Sequence, residues 1–199
     1  MYTNHLNCPQ CGNALKLNFR HSKLCICDAC GSTLFIEDEA VEFAGKQSVL
    51  SQEASLIQLQ QPFSYNKQSY LPVGHVRYQY NEGFWDEWWV INNAGEGIWV
   101  TVDEGDFAFE KKVAAPKNVD FDHFQLGDEV KGWLVTERGH ATCDGFEGEL
   151  PELVHQGERF DYVHLSQAGG KLFSLEFFES KTKAFKGQWA DPFEIQVEG

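Results

Sequence analysis

Four of the six cysteines fall in two short pairs that could hold a metal ion. Cys8 and Cys11 belong to one C-x-x-C-G sequence, and Cys27 and Cys30 belong to a second. Fifteen residues separate Cys11 from Cys27. In such a turn the glycine lets backbone N–H groups face the thiolates, and two turns supply the four sulfur ligands of a tetrahedral zinc site. The spacing predicts a zinc ribbon over residues 1–36 with one structural Zn²⁺ per chain.

A fifth cysteine, Cys25, lies close enough in sequence to compete for the same site. Cys27 and Cys30 are preferred as the second pair because they repeat the pattern of the first. Cys25 is then a small apolar residue or a spare thiol beside the metal. A ribbon this short depends on its metal for folding, and it either docks another protein or packs against its own chain.

A second candidate site is the stretch GFWDEWWV at residues 83–90, which carries three of the six tryptophans around two adjacent acids. This stretch and the preceding strand, 73–80, should form a hairpin around residues 81–83. A three-residue loop that ends in glycine fits a type I turn followed by a left-handed residue. That geometry predicts Tyr80 opposite Phe84.

Side chains alternate between the two faces of a strand, so the two acids cannot act together as an acid/base couple. The even-numbered face is apolar, and it predicts Asp86 as a structural buried acid that must find hydrogen-bond donors. The odd-numbered face would carry Trp85, Glu87 and Trp89, with Arg77 opposite Glu87. This face is either a simple cross-strand ion pair or an aromatic-walled groove that binds a partner or ligand.

The other reactive side chains form no recognisable catalytic pattern. His140 and Cys143 would point to opposite faces of a strand, so a nucleophilic pair is not predicted. The sequence contains no phosphate-binding glycine loop and no serine-hydrolase or zinc-protease motif. We therefore expect no catalytic residue.

The elements that must position these residues are strands. After a connector at 37–62, short alternating segments separated by turn residues predict an antiparallel β-sandwich or a barrel-like domain over 63–199, so the fold is mainly β. The predicted strands are 73–80, 84–91, 97–102, 106–113, 129–137, 140–146, 159–166, 171–178, 182–187 and 193–197.

The net charge of −14 narrows the range of partners. An acidic body repels nucleic acids and anionic lipids, and it suits basic proteins or polyamines. No apolar run is long enough to span a bilayer, and the first residues do not resemble a signal peptide, so we expect a cytoplasmic protein without membrane insertion.

Several motifs together resemble a known family. They are CPQCG at 8–12, CDACG at 27–31, WDEW at 85–88, GIWV at 97–100 and EGELP at 147–151. This combination resembles bacterial proteins that join a zinc ribbon to the domain of unknown function DUF4178. The resemblance implies no established activity. It implies an association with membrane-stress factors of the phage-shock type and with enzymes of polyamine metabolism.

The residue patterns and the family resemblance together lead to two expectations. The first is a non-enzymatic zinc-ribbon adaptor that binds a protein partner, including a partner at the membrane face. The alternative is a domain that binds a polyamine or another small cation, or a degenerate enzyme linked to polyamine metabolism.

Overall fold

The computed structural model describes residues 6–37, 40–46, 50–51, 53–81 and 83–197. The predictions made for residues 1–5, 38–39, 47–49, 52, 82 and 198–199 lie outside this part of the chain.

Strands dominate the described residues, which include two short 3-10 helices and no α-helix. No helix found in these residues is both long and apolar enough to cross a membrane. The strands are β1 (Leu24–Ile26), β2 (Ser32–Glu37), β3 (Ala40–Lys46), β4 (Phe63–Tyr65), β5 (Gln68–Tyr80), β6 (Gly83–Asn92), β7 (Gly97–Asp103), β8 (Asp106–Val113), β9 (Glu129–Val130), β10 (Trp133–Leu150), β11 (Arg159–Gln167), β12 (Lys171–Phe177), β13 (Thr182–Ala190) and β14 (Gln196–Val197). The 3-10 helices are Phe121–His123 and Pro192–Glu194.

Eight of these strands close into an antiparallel barrel. Their order around the barrel is β5, β6, β7, β8, β13, β12, β11 and β10, and β10 pairs back with β5. Closure satisfies the backbone groups that an open sheet would leave at its edges. Of the two architectures that the sequence predicted, the structure shows the barrel.

β10 is the strand that closes the barrel. Its first half pairs with β11 and its second half with β5. The sequence predicted two strands here, over 129–137 and 140–146, but one strand of 18 residues runs from Trp133 to Leu150. Register shifts between Val135 and Glu137 and between Cys143 and Gly145 bend it as β-bulges do, so that it can serve two neighbours.

The ribbon packs against its own chain. Strands β1 to β3 form a small antiparallel unit that continues from the end of β10, because Leu24 pairs with Leu150 and Cys25 pairs with Glu149. The backbone N–H of Lys23 also donates to the carbonyl of Leu150 over 2.8 Å. β3 lies within the segment predicted as a connector, so the described part of that segment is not all loop.

The hairpin between β5 and β6 has a different register from the predicted one. Tyr80 pairs with Gly83 and Arg77 pairs with Asp86. Residues 81 and 82 alone therefore lie between the paired residues, and the expected three-residue loop is wrong. A shift of one residue moves every side chain of a strand to the other face. The predicted inner and outer faces are thus exchanged for β6, whereas β5 keeps Val76 and Tyr78 inside and Arg77 outside as predicted.

Candidate functional site

The four predicted metal ligands converge in the ribbon. The Sγ atoms of Cys8, Cys11, Cys27 and Cys30 all lie within 4.8 Å of one another. Cys8 and Cys30 are 3.7 Å apart, and Cys11 and Cys27 are 3.8 Å apart. Four sulfurs arranged tetrahedrally at the usual zinc–sulfur distance would be separated by about 3.8 Å. The site therefore suits a metal ion with four thiolate ligands.

Each cysteine pair is held by a tight turn. The N–H of Gly12 donates to the carbonyl of Cys8, and the N–H of Gly31 donates to that of Cys27, both over 2.8 Å. Both glycines have left-handed backbones, with φ of 75° and 67°, which other residues adopt only at a cost. The local sequence thus fixes the ligand geometry before tertiary packing contributes.

Cys25 lies outside the ligand cluster. Its side chain is buried with the apolar core of the ribbon, beside Leu15 and Leu34. Burial, reinforced by the negative charge of Glu149, raises the pKa of this thiol to about 12. The sequence left open whether Cys25 is a small apolar residue or a spare thiol beside the metal. Its position is that of an apolar core residue.

Asp86 is buried on the outer face of the barrel wall. It is 5% exposed and accepts from Arg77, whose Nε lies 2.8 Å from Oδ1 and whose second terminal nitrogen lies 2.9 Å from Oδ2. Nε2 of His75 is also 2.8 Å from Oδ1. Burial alone would raise the pKa of Asp86, but His75 and Arg77 lower it below its ordinary value. The predicted pair of Arg77 with Glu87 is wrong, because the hairpin register places these residues on opposite faces.

This buried cluster also fixes part of the connector. The other terminal nitrogen of Arg77 donates to the carbonyl of Ser51 over 2.9 Å and to its hydroxyl over 3.1 Å. The ring of His75 stacks on Trp88 at a centroid distance of 4.0 Å. Asp86 therefore anchors Arg77, and through it Ser51, to the wall of the barrel.

Three of the four residues predicted to contact a partner or ligand lie inside the barrel, and Arg77 lies outside it. Trp85 and Glu87 line an interior cavity of about 20 Å³, and Trp85 Nε1 donates to Glu87 Oε1 over 3.0 Å. Trp89 is 8% exposed and packs on Trp99, which also lines the cavity. The hairpin register again explains why the prediction was wrong, because the shorter loop turns the odd-numbered residues of β6 inward.

Two further carboxylates line the same cavity, from strands distant in sequence. Glu110 of β8 accepts from the hydroxyl of Thr101 over 2.9 Å and from that of Ser174 over 2.7 Å. Glu176 of β12 is 6% exposed, and its Oε2 atom has no hydrogen-bond partner among the described residues. The Nζ atom of Lys183 lies 3.5 Å from that oxygen, which makes an ion pair but not a close hydrogen bond.

Two of the interior carboxyls, those of Glu87 and Glu176, have raised pKa values. Burial, together with the charge of Glu176, raises the pKa of Glu87 well above its ordinary value. Burial also raises the pKa of Glu176, although Lys183 acts in the opposite direction. The charge on Lys183 is shared, because its Nζ lies 2.6 Å from Glu152 Oε1. The cavity therefore has more carboxyl groups than ammonium groups within reach.

Both ends of the barrel carry further charges. At the upper end, where β5 turns into β6, Glu137 accepts from Tyr162 over 2.7 Å and lies 3.1 Å from His164. Asp103 also lies there, and burial followed by the charge of Glu137 raises its pKa to about 6. At the lower end, where β6 turns into β7, Glu152 binds Lys112 and Lys183.

Sequence reasoning missed this interior group, although a signal for it existed. Glu110 directly follows the apolar run 107–109, and Glu176 stands between Leu175 and Phe177. An acid next to buried apolar residues in a strand is a candidate for burial. The topology was needed to show that these acids meet.

What the interior can do follows from its lining. Carboxylates on several sides provide acceptors for a cation, and the rings of Trp85, Trp99 and Tyr162 present π-faces and edges beside them. The three carboxylates do not converge on one point as the four thiolates do. This arrangement suits a cation that carries several N–H donors.

Comparison with known proteins gives one match. A sequence model of the domain of unknown function DUF4178 matches residues 58–192, which is more than half of the chain. The match begins beyond the four cysteines, so the metal site rests on their geometry. No curated protein and no solved structure matches the chain.

Replacement of Asp86 tests its role as a buried anchor. Asp86→Asn removes the charge that Arg77 requires, so we expect the free energy of unfolding at pH 7 to fall by about 3 kcal/mol. Because the pKa of Asp86 is lowered from 3.8 in the folded protein, its contribution is present above about pH 4 and is lost as the pH falls further. Urea unfolding followed by circular dichroism should show a larger difference between variant and wild type at pH 7 than at pH 3.

The matched control is Asp122→Asn, which alters an exposed aspartate. It should leave the unfolding free energy almost unchanged at both pH values. Equal stability of the Asp86 variant and the wild type at pH 7 would show that the cluster is not an anchor.

Proposed function

We propose that this chain, which belongs to the DUF4178 family, is a non-enzymatic binding protein whose barrel receives a small cation, such as the ammonium end of a polyamine. The observation that carries the proposal is Glu176, which lines the cavity and whose buried Oε2 atom has no close hydrogen-bond donor among the described residues, only the ion pair with Lys183 at 3.5 Å. An incompletely satisfied buried acceptor is costly, and a bound ammonium group would supply a close donor.

The charge balance supports a cationic ligand. Glu110 has hydroxyl donors, Glu87 has one indole donor, and Lys183 divides its charge between Glu152 and Glu176. An ammonium group near Glu87 and Glu176 would favour their ionised forms, which burial disfavours. Binding should therefore tighten as the pH rises, because protonated carboxyls must lose their protons to accept from the ligand.

The size of the cavity limits the ligand group. A volume of about 20 Å³ holds roughly one water-sized group. A primary ammonium meets this limit, and its three N–H donors match acceptors that lie on several sides. Asp103 also lines the cavity, and its carboxylate adds to the attraction.

Calorimetry with amines tests this function. Spermidine and butylamine should bind with a stoichiometry of one per chain, whereas tetramethylammonium, which lacks N–H donors, should not. The titration is done in about 0.5 M salt, where the association of cations with the acidic exterior is screened. Glu176→Gln should weaken amine binding about tenfold or more, since it removes a charged acceptor.

Glu129→Gln serves as the control, because Glu129 is an exposed acid on the short strand β9. Glu129→Gln lowers the net negative charge by the same amount as Glu176→Gln, and it should bind amines as the wild type does. Absence of heat for every amine in high salt would contradict the function.

For the ribbon we propose zinc as the metal, one ion per chain. Four thiolates in a compact tetrahedron favour Zn²⁺, and the chain's other cysteines are free and buried. A cytoplasmic location, which keeps thiols reduced, would agree with this proposal. Elemental analysis should find about one zinc per chain in the wild type and in Cys143→Ser, and much less in Cys11→Ser. Full zinc content in Cys11→Ser would contradict the assignment.

The adaptor function is a second candidate, and an exterior groove favours it. This groove lies between connector residues 53–56 and the outer face of β6 and β7. Leu56 is 51% exposed and Phe84 is 39% exposed, and the acids Glu53 and Glu104 flank them. The groove suits a protein segment that presents an apolar side chain next to Lys or Arg.

Affinity purification from the native host tests the adaptor function. A partner with a basic segment should be recovered with the wild type and lost with Leu56→Ser. It should be retained with Leu126→Ser, which alters another exposed leucine (68% exposed) away from the groove. Identical recovery with all three proteins would contradict this use of the groove.

A further inference from the structure

The loop between the two cysteine pairs is held at the lower end of the barrel by one buried carboxylate. Glu149, which is 5% exposed, accepts from the backbone N–H of Asn18 over 2.8 and 3.0 Å and from that of Phe19 over 3.0 Å. It also accepts from the side-chain amide of Asn18 over 2.8 Å and from the hydroxyl of Ser22 over 3.0 Å. Because these contacts join residues about 130 positions apart in sequence, they fix the ribbon to the barrel and not merely to itself.

The same loop delivers an aromatic ring into the barrel core. Phe19 is 9% exposed and meets Trp89 edge to face, with ring centroids 5.3 Å apart. Trp89 in turn lies 5.1 Å from Trp99, which lines the interior cavity. All three rings belong to one apolar cluster with Leu24 of the ribbon and Leu150 of β10. A continuous series of packed rings thus runs from the ribbon to the cavity.

The metal site decides whether this loop can stay in place. Residues 18–22 lie between the two cysteine pairs, and the ribbon has only a small apolar core of its own. Small domains of this kind lose their fold when four thiolates are no longer joined by an ion. The contacts of Phe19 and Glu149 with the barrel depend on the loop conformation that the two pairs impose.

We infer that the ribbon is the floor of the barrel site. Phe19 is a positioning residue for Trp89 and Trp99, and release of the metal from the cysteines opens the interior from below. The role of the ribbon as a floor stands on the contacts alone, and only its effect on ligand affinity rests on the proposed cation function. The ribbon and the barrel then act as one unit, in which a metal ion controls access to an acidic interior.

Metal removal from the full chain is the first test. The protein is treated with EDTA under reducing conditions and compared with the metal-loaded form. We expect stronger quenching of tryptophan fluorescence by acrylamide, a weaker near-ultraviolet circular dichroism signal and a far-ultraviolet signal that retains its strand content. Affinity for butylamine should fall about tenfold, because the cavity is no longer held in its binding conformation. Addition of Zn²⁺ should reverse all three changes.

A substitution provides the second test and remains valid if the chain unfolds without metal. Phe19→Ala, with its metal still bound, should show the same increase in quenching and the same loss of affinity. Phe43→Ala is the matched control, since Phe43 is a ribbon phenylalanine that is 48% exposed on β3. It should behave as the wild type in both measurements.

The outcomes separate the two proposals. If Phe19→Ala leaves tryptophan quenching unchanged, the inference that the ribbon is the floor of the barrel site is contradicted. If butylamine binds equally well to Phe19→Ala and the wild type, Phe19 does not position the site, although the cation function stands. If no form binds butylamine but quenching rises as expected, the floor stands and the cation function fails.

Discussion

The pairing of β10 with both β11 and β5 is the constraint on which the rest of the structure depends. It closes the sheet, and a closed sheet divides every strand into an inner and an outer row of side chains. Its last residues then leave the barrel and pair with the ribbon, so closure and attachment are consequences of one strand. The contacts of Glu149 with Asn18 and of Phe19 with Trp89 add to this attachment.

A barrel of eight strands is just wide enough for its side chains to fill, and apolar residues would fill it at the lowest cost. This barrel instead encloses Glu87, Glu110 and Glu176, with Lys183 beside Glu176. The raised pKa values of Glu87 and Glu176 are the physical sign of that cost. Proteins accept such a loss of stability where the charges serve binding or chemistry, which is why the interior, and not the acidic exterior, is the stronger functional candidate.

The sequence was sufficient for features that depend on local spacing. The C-x-x-C-G pairs predicted the ligand cluster, and alternation with turn residues predicted most strands. Features that depend on long-range pairing could not be predicted. Glu149 reads as part of an acidic turn until Asn18 is brought beside it, and Glu110 and Glu176 are unrelated until β8, β13 and β12 lie side by side. The hairpin register failed because Asn81-Glu82-Gly83 accommodates a loop of either two or three residues, and the backbone twist of the neighbouring strands decides between them.

The short loop of that hairpin has a consequence for how this sequence can change over time. Asp86 and Glu87 are adjacent and tryptophans flank both, so each possible register would put an acid and an indole inside the barrel. An insertion of one residue at positions 81–83 that shifted β6 by one residue would therefore keep an acid and an indole in the interior while exchanging the residues that occupy it. Arg77 would lose Asp86, and Glu87 would be turned away from Glu110 and Glu176. Surface loops usually tolerate changes in length, but this turn should keep its length fixed across related sequences even where its residue types vary.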